Sequence, residues 1–294
     1  MRVVLAGGSG FLGSALMSAL RQNGDSVTVL TRSPSRPDEV RWDPYGALEG
    51  WAHTLDAADA VVNLAGASIG QRWTAARKRD MWKSRVHLTR TLVAAMKSVR
   101  TVPRALINAS AVGIFGPRGN EALTEASAPG TGFLAALCKE WEKEAMEAAS
   151  HSRVVLLRNG LVFDRKEGAL PQMARPFAFF AGGPVGSGEQ VISWIHRDDW
   201  TALAKWAIET DSVSGPMNAT APNAVTNREF AHALGRVLHR PAVMPAPAFA
   251  VRLLLGEMAD AILTGQRVVP ARALEKGFTF RYPEIEGALA RIFV

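Results

Sequence analysis

At 294 residues, 48% of them hydrophobic and 21% charged, the chain has enough apolar side chain for one large α/β domain, or a domain with a smaller lobe, without covalent staples. Its single cysteine, Cys138, excludes an internal disulfide, and with no spaced Cys/His cluster no metal site is expected. The net charge of +7 is scattered, which argues against a nucleic-acid partner, and no apolar stretch is long enough for a secretory leader or a bilayer span, so a cytoplasmic location without membrane contact is expected.

Residues 2–6 (RVVLA) form a short β-branched run that predicts a buried strand, and a glycine-rich turn leads from it into LGSALMSALRQNG, whose apolar spacing is helical and stops at Gly24. Residues 27–31 (VTVLT) predict the second strand, completing a βαβ unit. Further strands are predicted at 60–64, 104–110 and 153–158, alternating with long amphipathic helices at 74–98 and 133–149 that belong on one face of the sheet. The first of these helices begins in the densest basic run, Arg72 to Arg85, where Trp73, Met81 and Trp82 alternate with the charges, so the cations read as a solvated face. Such alternation predicts an α/β fold with a doubly wound parallel sheet of Rossmann type. After residue 164 the rhythm weakens and glycines 182, 183, 186 and 188 mark a loop. The expected division is a sheet domain over 1–164, joined again by 190–220, and a smaller C-terminal α/β lobe over 165–294 that holds substrate.

The first turn reads Gly7-Gly8-Ser9-Gly10-Phe11-Leu12-Gly13, a G-x-x-G-x-x-G spacing placed directly after a strand and directly before a helix. That context makes it a dinucleotide-binding motif: Gly7 permits the tight turn, Gly10 clears the approach of a pyrophosphate, and Gly13 lets the helix pack closely on the strand. The choice between NAD and NADP is made at the end of the second strand, where an acidic residue would bind the ribose hydroxyls of NAD. The chain has Leu30-Thr31-Arg32-Ser33 there, while Asp25 lies at the opposite end of that strand. Arg32 offers a planar fork and Ser33 a hydroxyl to a 2′-phosphate, with Arg36 as a second candidate cation, so the expected cofactor is NADP(H).

These residues resemble the extended short-chain dehydrogenase/reductase superfamily over the full length. Asn63-Leu64-Ala65-Gly66 resembles the Asn-x-Ala-Gly segment that lies along the cofactor, Ser110-Ala111 with Gly113-Ile114-Phe115-Gly116 resembles the Ser-Ala-x-x-Tyr-Gly stretch whose serine contacts substrate, and Trp194-Ile195-His196-Arg197-Asp198-Asp199 resembles the Phe-Ile-His-Val-Asp-Asp segment of extended members. More narrowly, Cys138 with Trp141-Glu142, the glycine loop at 182–188 and the tail from Gly265-Gln266-Arg267-Val268 to Arg281-Tyr282-Pro283 resemble the "epimerase family protein" group, sometimes labelled cell-division inhibitor. The resemblance implies a cofactor surface of Gly7, Ser9, Gly10, Phe11, Leu12, Gly13, Thr31, Arg32, Ser33, Leu64, Ala65, Gly66, Arg85, Ala109 and Arg158. It implies a substrate surface of Ser110, Ala111 and His196, and helices 74–98 and 133–149 paired in a homodimer.

One departure changes the chemistry. Active members use a Tyr-x-x-x-Lys pair whose lysine lowers the tyrosine pKa, whereas this chain has only Tyr45 and Tyr282, neither followed by lysine four residues later. Cys138 and Glu142 hold that i, i+4 relation instead, which leaves Ser110 and Cys138 as candidate catalytic residues. The expected function is an atypical NADP(H)-dependent oxidoreductase or epimerase acting on a small polar or nucleotide-sugar-like substrate. The alternative is a non-catalytic NADP(H)-binding protein with a regulatory or redox-sensing role.

Overall fold

The four apolar residues of the first strand are completely enclosed, as a β-branched run must be when both faces of its sheet are covered. In the computed structural model, which describes residues 1–294, the elements in chain order are β1 (Arg2–Ala6), α1 (Phe11–Gln22), β2 (Ser26–Thr31), β3 (Glu39–Arg41), β4 (Ala60–Asn63), α2 (Ala75–Trp82), α3 (Leu88–Ser98), β5 (Ala105–Ala111), β6 (Gly119–Leu123), α4 (Phe133–Met146), β7 (Arg153–Asn159), β8 (Leu161–Phe163), α5 (Leu170–Ala178), β9 (Val191–Ile192), β10 (Trp194–His196), α6 (Arg197–Glu209), β11 (Gly215–Ala219), β12 (Val225–Thr226), α7 (Asn227–Leu238), α8 (Ala248–Leu255), α9 (Met258–Leu263), β13 (Gln266–Val268), α10 (Ala271–Glu275) and α11 (Ile285–Phe293).

Seven strands form one parallel sheet in the order β11-β7-β5-β4-β1-β2-β3. The chain winds outward from β1 on one side and from β4 on the other, so the carboxyl ends of β1 and β4 flank the topological switch point where such sheets open a ligand crevice. One face is closed by α1 and α6 through Leu16, Leu20, Trp200 and Leu203. The other is closed by α3 and the end of α4 through Leu88, Leu92, Met96 and Ala145, with Trp42, Trp51 and Leu55. The two long helices predicted for a common face therefore share one. The first is interrupted, however: α2 and α3 are joined by a π-turn at Lys83–His87, a local widening that re-aims side chains and recurs at functional positions.

The chain beyond β7 does not form one contiguous lobe. A second core gathers Phe163, Leu170, Phe177, Trp194, Phe230, Leu234 and Leu289 from β8, α5, β10, α7 and α11. Segment 190–220 supplies α6 and β11 to the large sheet. A later stretch also returns: β13 pairs with β6, the Asn218 amide donates to the Val269 carbonyl at 2.9 Å, and Phe280 joins the sheet core. No helix is long and apolar enough to cross a membrane.

The start of α6 departs from expectation. Asp198 and Asp199 suggest caps for a helix beginning at Trp200, yet α6 begins at Arg197 and its N-cap is His196, whose Nδ1 accepts from the Asp198 N–H at 3.0 Å. Asp199 instead accepts from the Arg281 and Tyr282 N–H groups at 2.9 and 2.8 Å, fastening the returning C-terminal segment.

Candidate functional site

At the end of β1 the chain turns through Gly7, where a side chain is excluded twice over: φ is +86°, and a Cβ would lie 2.8 Å from the Ala65 nitrogen. A Cβ on Gly13 would lie 2.1 Å from the Gly7 carbonyl oxygen, so α1 rests directly on the turn. Gly10 differs: a Cβ there would meet only the Gly7 oxygen, at 3.3 Å, and otherwise open space. Gly10 is also the N-cap of α1 and offers no capping side chain, and the first turn contains no acidic residue. The peptide N–H groups of Phe11, Leu12 and Gly13 have no intrahelical acceptor, and with the positive end of the helix dipole they form a site for an anion.

The end of β2 carries Thr31, half-buried, followed by exposed Arg32 and Ser33. Arg36 is held by Glu39 through its Nε at 2.8 Å. Glu39 also accepts from the Ser35 N–H and the Ser35 hydroxyl. Those contacts, the Ser35 N–H first, hold the Glu39 carboxyl down at about 2. Arg36 is thus neutralised within its own loop, and Arg32 is the cation of that loop left without a carboxylate partner. Asp25 faces the chain's amino group at 2.8 Å, at the far end of the strand.

Between the start of α1, the ends of β4 and β5 and the C-terminal segments lies a cleft of ≈ 760 Å³ whose walls include Leu12, Leu64, Ala65, Gly66, Ala109 and Ser110. Asn63 does not reach it: fully buried, its amide donates to Thr89 and Asn108, and its oxygen accepts from the Ala65 N–H. It shapes the strand end rather than binding a ligand. Arg85 projects from the π-turn into the cleft wall, with one nitrogen donating to the Ala67 carbonyl at 3.0 Å and its guanidinium 5.3 Å from the Trp141 ring centroid. No carboxylate pairs with it, and burial pulls its pKa below the usual arginine value.

Deeper in the cleft, Ser110 donates to Glu142 at 2.6 Å, and Glu142 is gripped by both arms of Arg158, at 2.8 and 2.9 Å. Cys138, one turn before Glu142 on α4, lines the same floor. Burial, with the Glu142 charge adding to it, pushes the Cys138 thiol up to about 12, so it is a neutral donor and not a thiolate. Ser110, Ala111 and Cys138 are therefore brought together.

Two expected contacts are placed elsewhere. Arg158 is buried behind Ser110, bound to Glu142 and the Glu125 carbonyl, and is absent from the cleft wall, so it braces the site instead of facing a cofactor. His196 is also absent from the wall. It caps α6 and packs on Tyr282 with ring centroids 4.1 Å apart. Residues not foreseen are Glu142, as the partner of Ser110, and Asn159, Glu257, Asp260 and Gln266, which reach the cleft from distant segments.

The cap gives His196 a measurable signature. Burial lowers its pKa below the usual 6.5, so the unfolded chain takes up a proton that the folded chain refuses. The folded state must then lose stability as pH falls below about 6.5. His196→Asn keeps a capping acceptor and should remove this slope: urea midpoints of the wild type should drop further between pH 7.5 and 5.5 than those of the variant. Equal drops would refute a buried neutral histidine.

A model described as the NAD dependent epimerase/dehydratase family matches residues 3–219, and one described as a domain of unknown function (DUF1731) matches residues 246–292. The crystal structure of the human epimerase family protein SDR39U1 with NADPH is similar at a TM-score of 0.92 and 34% identity, covering 99% of each chain. The epimerase family protein ML0860 of Mycobacterium leprae is 40% identical over 292 residues, 98% of this chain and 94% of its own. The chloroplastic SDR39U1 homolog of Arabidopsis thaliana is 39% identical over 302 residues, 99% of this chain and 86% of its own.

Proposed function

The chain belongs to the NAD dependent epimerase/dehydratase family, and on that premise we propose that it binds NADP(H) across the start of α1 and acts as an oxidoreductase on a small carbonyl or hydroxyl compound. The observation that carries this reading is the open, uncapped helix start beside a loop whose one unpaired cation is Arg32. The NADPH held by the human relative supports the same cofactor. The N–H groups of Phe11, Leu12 and Gly13 would hold the pyrophosphate, with Ser9 beside them. Thr31, Arg32 and Ser33 would receive the 2′-phosphate, and Leu64, Ala65, Gly66, Arg85 and Ala109 would line the remaining length.

When bound, NADPH supplies a hydride for a carbonyl carbon, or its oxidised form accepts one from an alcohol. The remaining work belongs to the floor of the cleft. In the reductive direction the carbonyl oxygen becomes a hydroxyl by taking a proton from the Cys138 thiol, which is restored from solvent. Ser110, whose own proton is given to Glu142, offers only its oxygen, as the acceptor for the hydroxyl so formed. Substituting Cys138 by alanine should lower turnover and leave NADPH affinity unchanged.

A titration followed by NADPH fluorescence tests the cofactor. A charged hydrogen-bond partner contributes about 1.5–3 kcal/mol, so Arg32→Ala should weaken NADPH about tenfold to a hundredfold while leaving NADH binding as it was. Equal affinity of the wild type for the two cofactors would remove the 2′-phosphate assignment. The competing reading, a protein that retains NADP(H) for regulation, is favoured by one observation: Tyr45 and Tyr282 are both absent from the cleft. Tight NADPH binding without oxidation of the cofactor by any member of a carbonyl panel would select it.

The homodimer is part of the same proposal. Helices α3 and α4 are tied to each other within the chain by Arg90–Glu144, so the two would offer a second copy one joint surface. Light scattering should give a dimer mass; a monomer mass would exclude it.

A further inference from the structure

The part of the cleft beyond the cofactor surface has a composition at odds with the polar or nucleotide-sugar-like substrate that the family resemblance implies. Its walls are Ile69 and Trp73 from the segment after β4, Phe133 and Leu134 from α4, Leu161 from β8 and Ala261 from α9. Trp73 and Phe133 meet edge to face at 5.6 Å, making a continuous aromatic wall. Ile69 and Leu161 are 41% and 40% exposed, apolar surface that water covers poorly and that a ligand of like character would bury.

The charges point the same way. Arg85 is the only cation on the cleft wall and it lies against Gly66, on the cofactor side. The charged groups contributed by α9 and the residue before it are carboxylates, Asp260 and Glu257. Lys78, beside the aromatic wall, is claimed by Glu257 and sits over the Phe133 ring at 5.1 Å. A nucleoside diphosphate would bring its phosphate charges to a wall whose two carboxylates already hold Lys78 and Arg252 and which, apart from Arg85 on the cofactor side, is lined by no cation, so the phosphates lose hydration without gaining a partner. The polar groups at this end are also engaged internally: the Gln266 amide donates to the Val112 carbonyl at 2.9 Å, and the Thr264 hydroxyl donates to the Asp260 carbonyl at 2.6 Å. What remains for a substrate oxygen is the Cys138 thiol of the floor, with the Thr131 hydroxyl and the Asn159 amide on the cleft wall.

We infer that the cleft takes an uncharged substrate with an apolar body and one carbonyl or hydroxyl group, and that it rejects nucleoside diphosphate sugars. The inference rests on the oxidoreductase reading for its chemistry and on the wall composition for its specificity. Helix α9 contributes Ala261 to this apolar wall.

Calorimetric titration of the full chain with the 2-alkanones from 2-butanone to 2-nonanone, and separately with UDP-glucose, tests this. Each ligand is measured with and without saturating NADP⁺. Affinity should rise about fourfold per added methylene until the wall is filled, and UDP-glucose should bind more weakly than 2-nonanone. Ala261→Trp, which fills the far end, should abolish the gain for the longer ketones and leave NADP⁺ affinity unchanged. A flat ketone series, tighter binding of UDP-glucose, or an unaltered series in the Ala261 variant would each overturn the inference. Failure of NADP⁺ itself to bind would instead defeat the oxidoreductase reading, and the ketone series measured without cofactor would still report on the wall.

Discussion

Replacing Glu142 by leucine should destabilise the protein by about 3–5 kcal/mol, because it leaves the Arg158 guanidinium buried without its counter-charge. The pair is well enclosed, with side-chain exposures of 8% and 10%, so solvent cannot substitute for the missing carboxylate. The same change strips Ser110 of its only acceptor in the structure, leaving a second polar group unsatisfied in a buried position. Arg158 would retain its 3.3 Å hydrogen bond to the Glu125 carbonyl and its place over the Phe115 ring, neither of which carries a negative charge. The control is the double variant Glu142→Leu with Arg158→Met, in which both charges are gone and the volume is kept. Buried ion pairs replaced in this way are often neutral or stabilising, so most of the lost stability should return. Urea midpoints for the wild type and both variants decide the matter. A single variant as mild as a surface change, within about 0.5 kcal/mol, would mean that water or a relaxed backbone already compensates Arg158.

That pair also marks the limit of what the sequence discloses. The sheet was legible where strands are long and sealed on both faces: the apolar runs of β1, β2, β4, β5 and β7 announce themselves in one dimension. The edge strand β3 has three residues and none fully buried, and β8, β9, β10, β12 and β13 are two or three residues long, too short to establish a period. The π-turn that directs Arg85 has no residue signature. The glycine turn and Arg32 were legible because everything they require lies within a few neighbouring residues. The Glu142–Arg158 pair was not, since its members lie on α4 and β7 and meet only after the helix packs. The available hint was an acidic residue beside Trp141 on the buried side of an amphipathic helix, a position that demands a partner without naming one. His196 is a related case. The resemblance sets it against substrate, yet its ring nitrogen is a sufficient acceptor to cap a helix, and only the backbone geometry at α6 distinguishes the two uses.

Two of the motif glycines separate packing from ligand binding, and substituting Gly13 and Gly10 one at a time should resolve the two. In Gly13→Ala the new methyl would lie 2.1 Å from the Gly7 carbonyl oxygen and 2.8 Å from the Gly8 Cα. Both obstacles are backbone and cannot rotate aside, so the start of α1 must move off the turn. Overpacking of this kind costs about 1–3 kcal/mol of stability. The same movement withdraws the helix N–H groups from wherever they hold phosphate, so NADPH affinity should fall about tenfold to a hundredfold as well. Gly10→Ala should behave differently. Its φ of −82° suits any residue, and its methyl meets only the Gly7 oxygen at 3.3 Å, so folding stability should stay within about 0.5 kcal/mol of the wild type. The methyl nevertheless stands in the space through which a pyrophosphate must approach the helix start. Affinity for NADPH should therefore drop while the unfolding midpoint does not. A Gly10→Ala protein that binds NADPH as tightly as the wild type would show that no phosphate comes to this end of α1, and the cofactor assignment would fall with it.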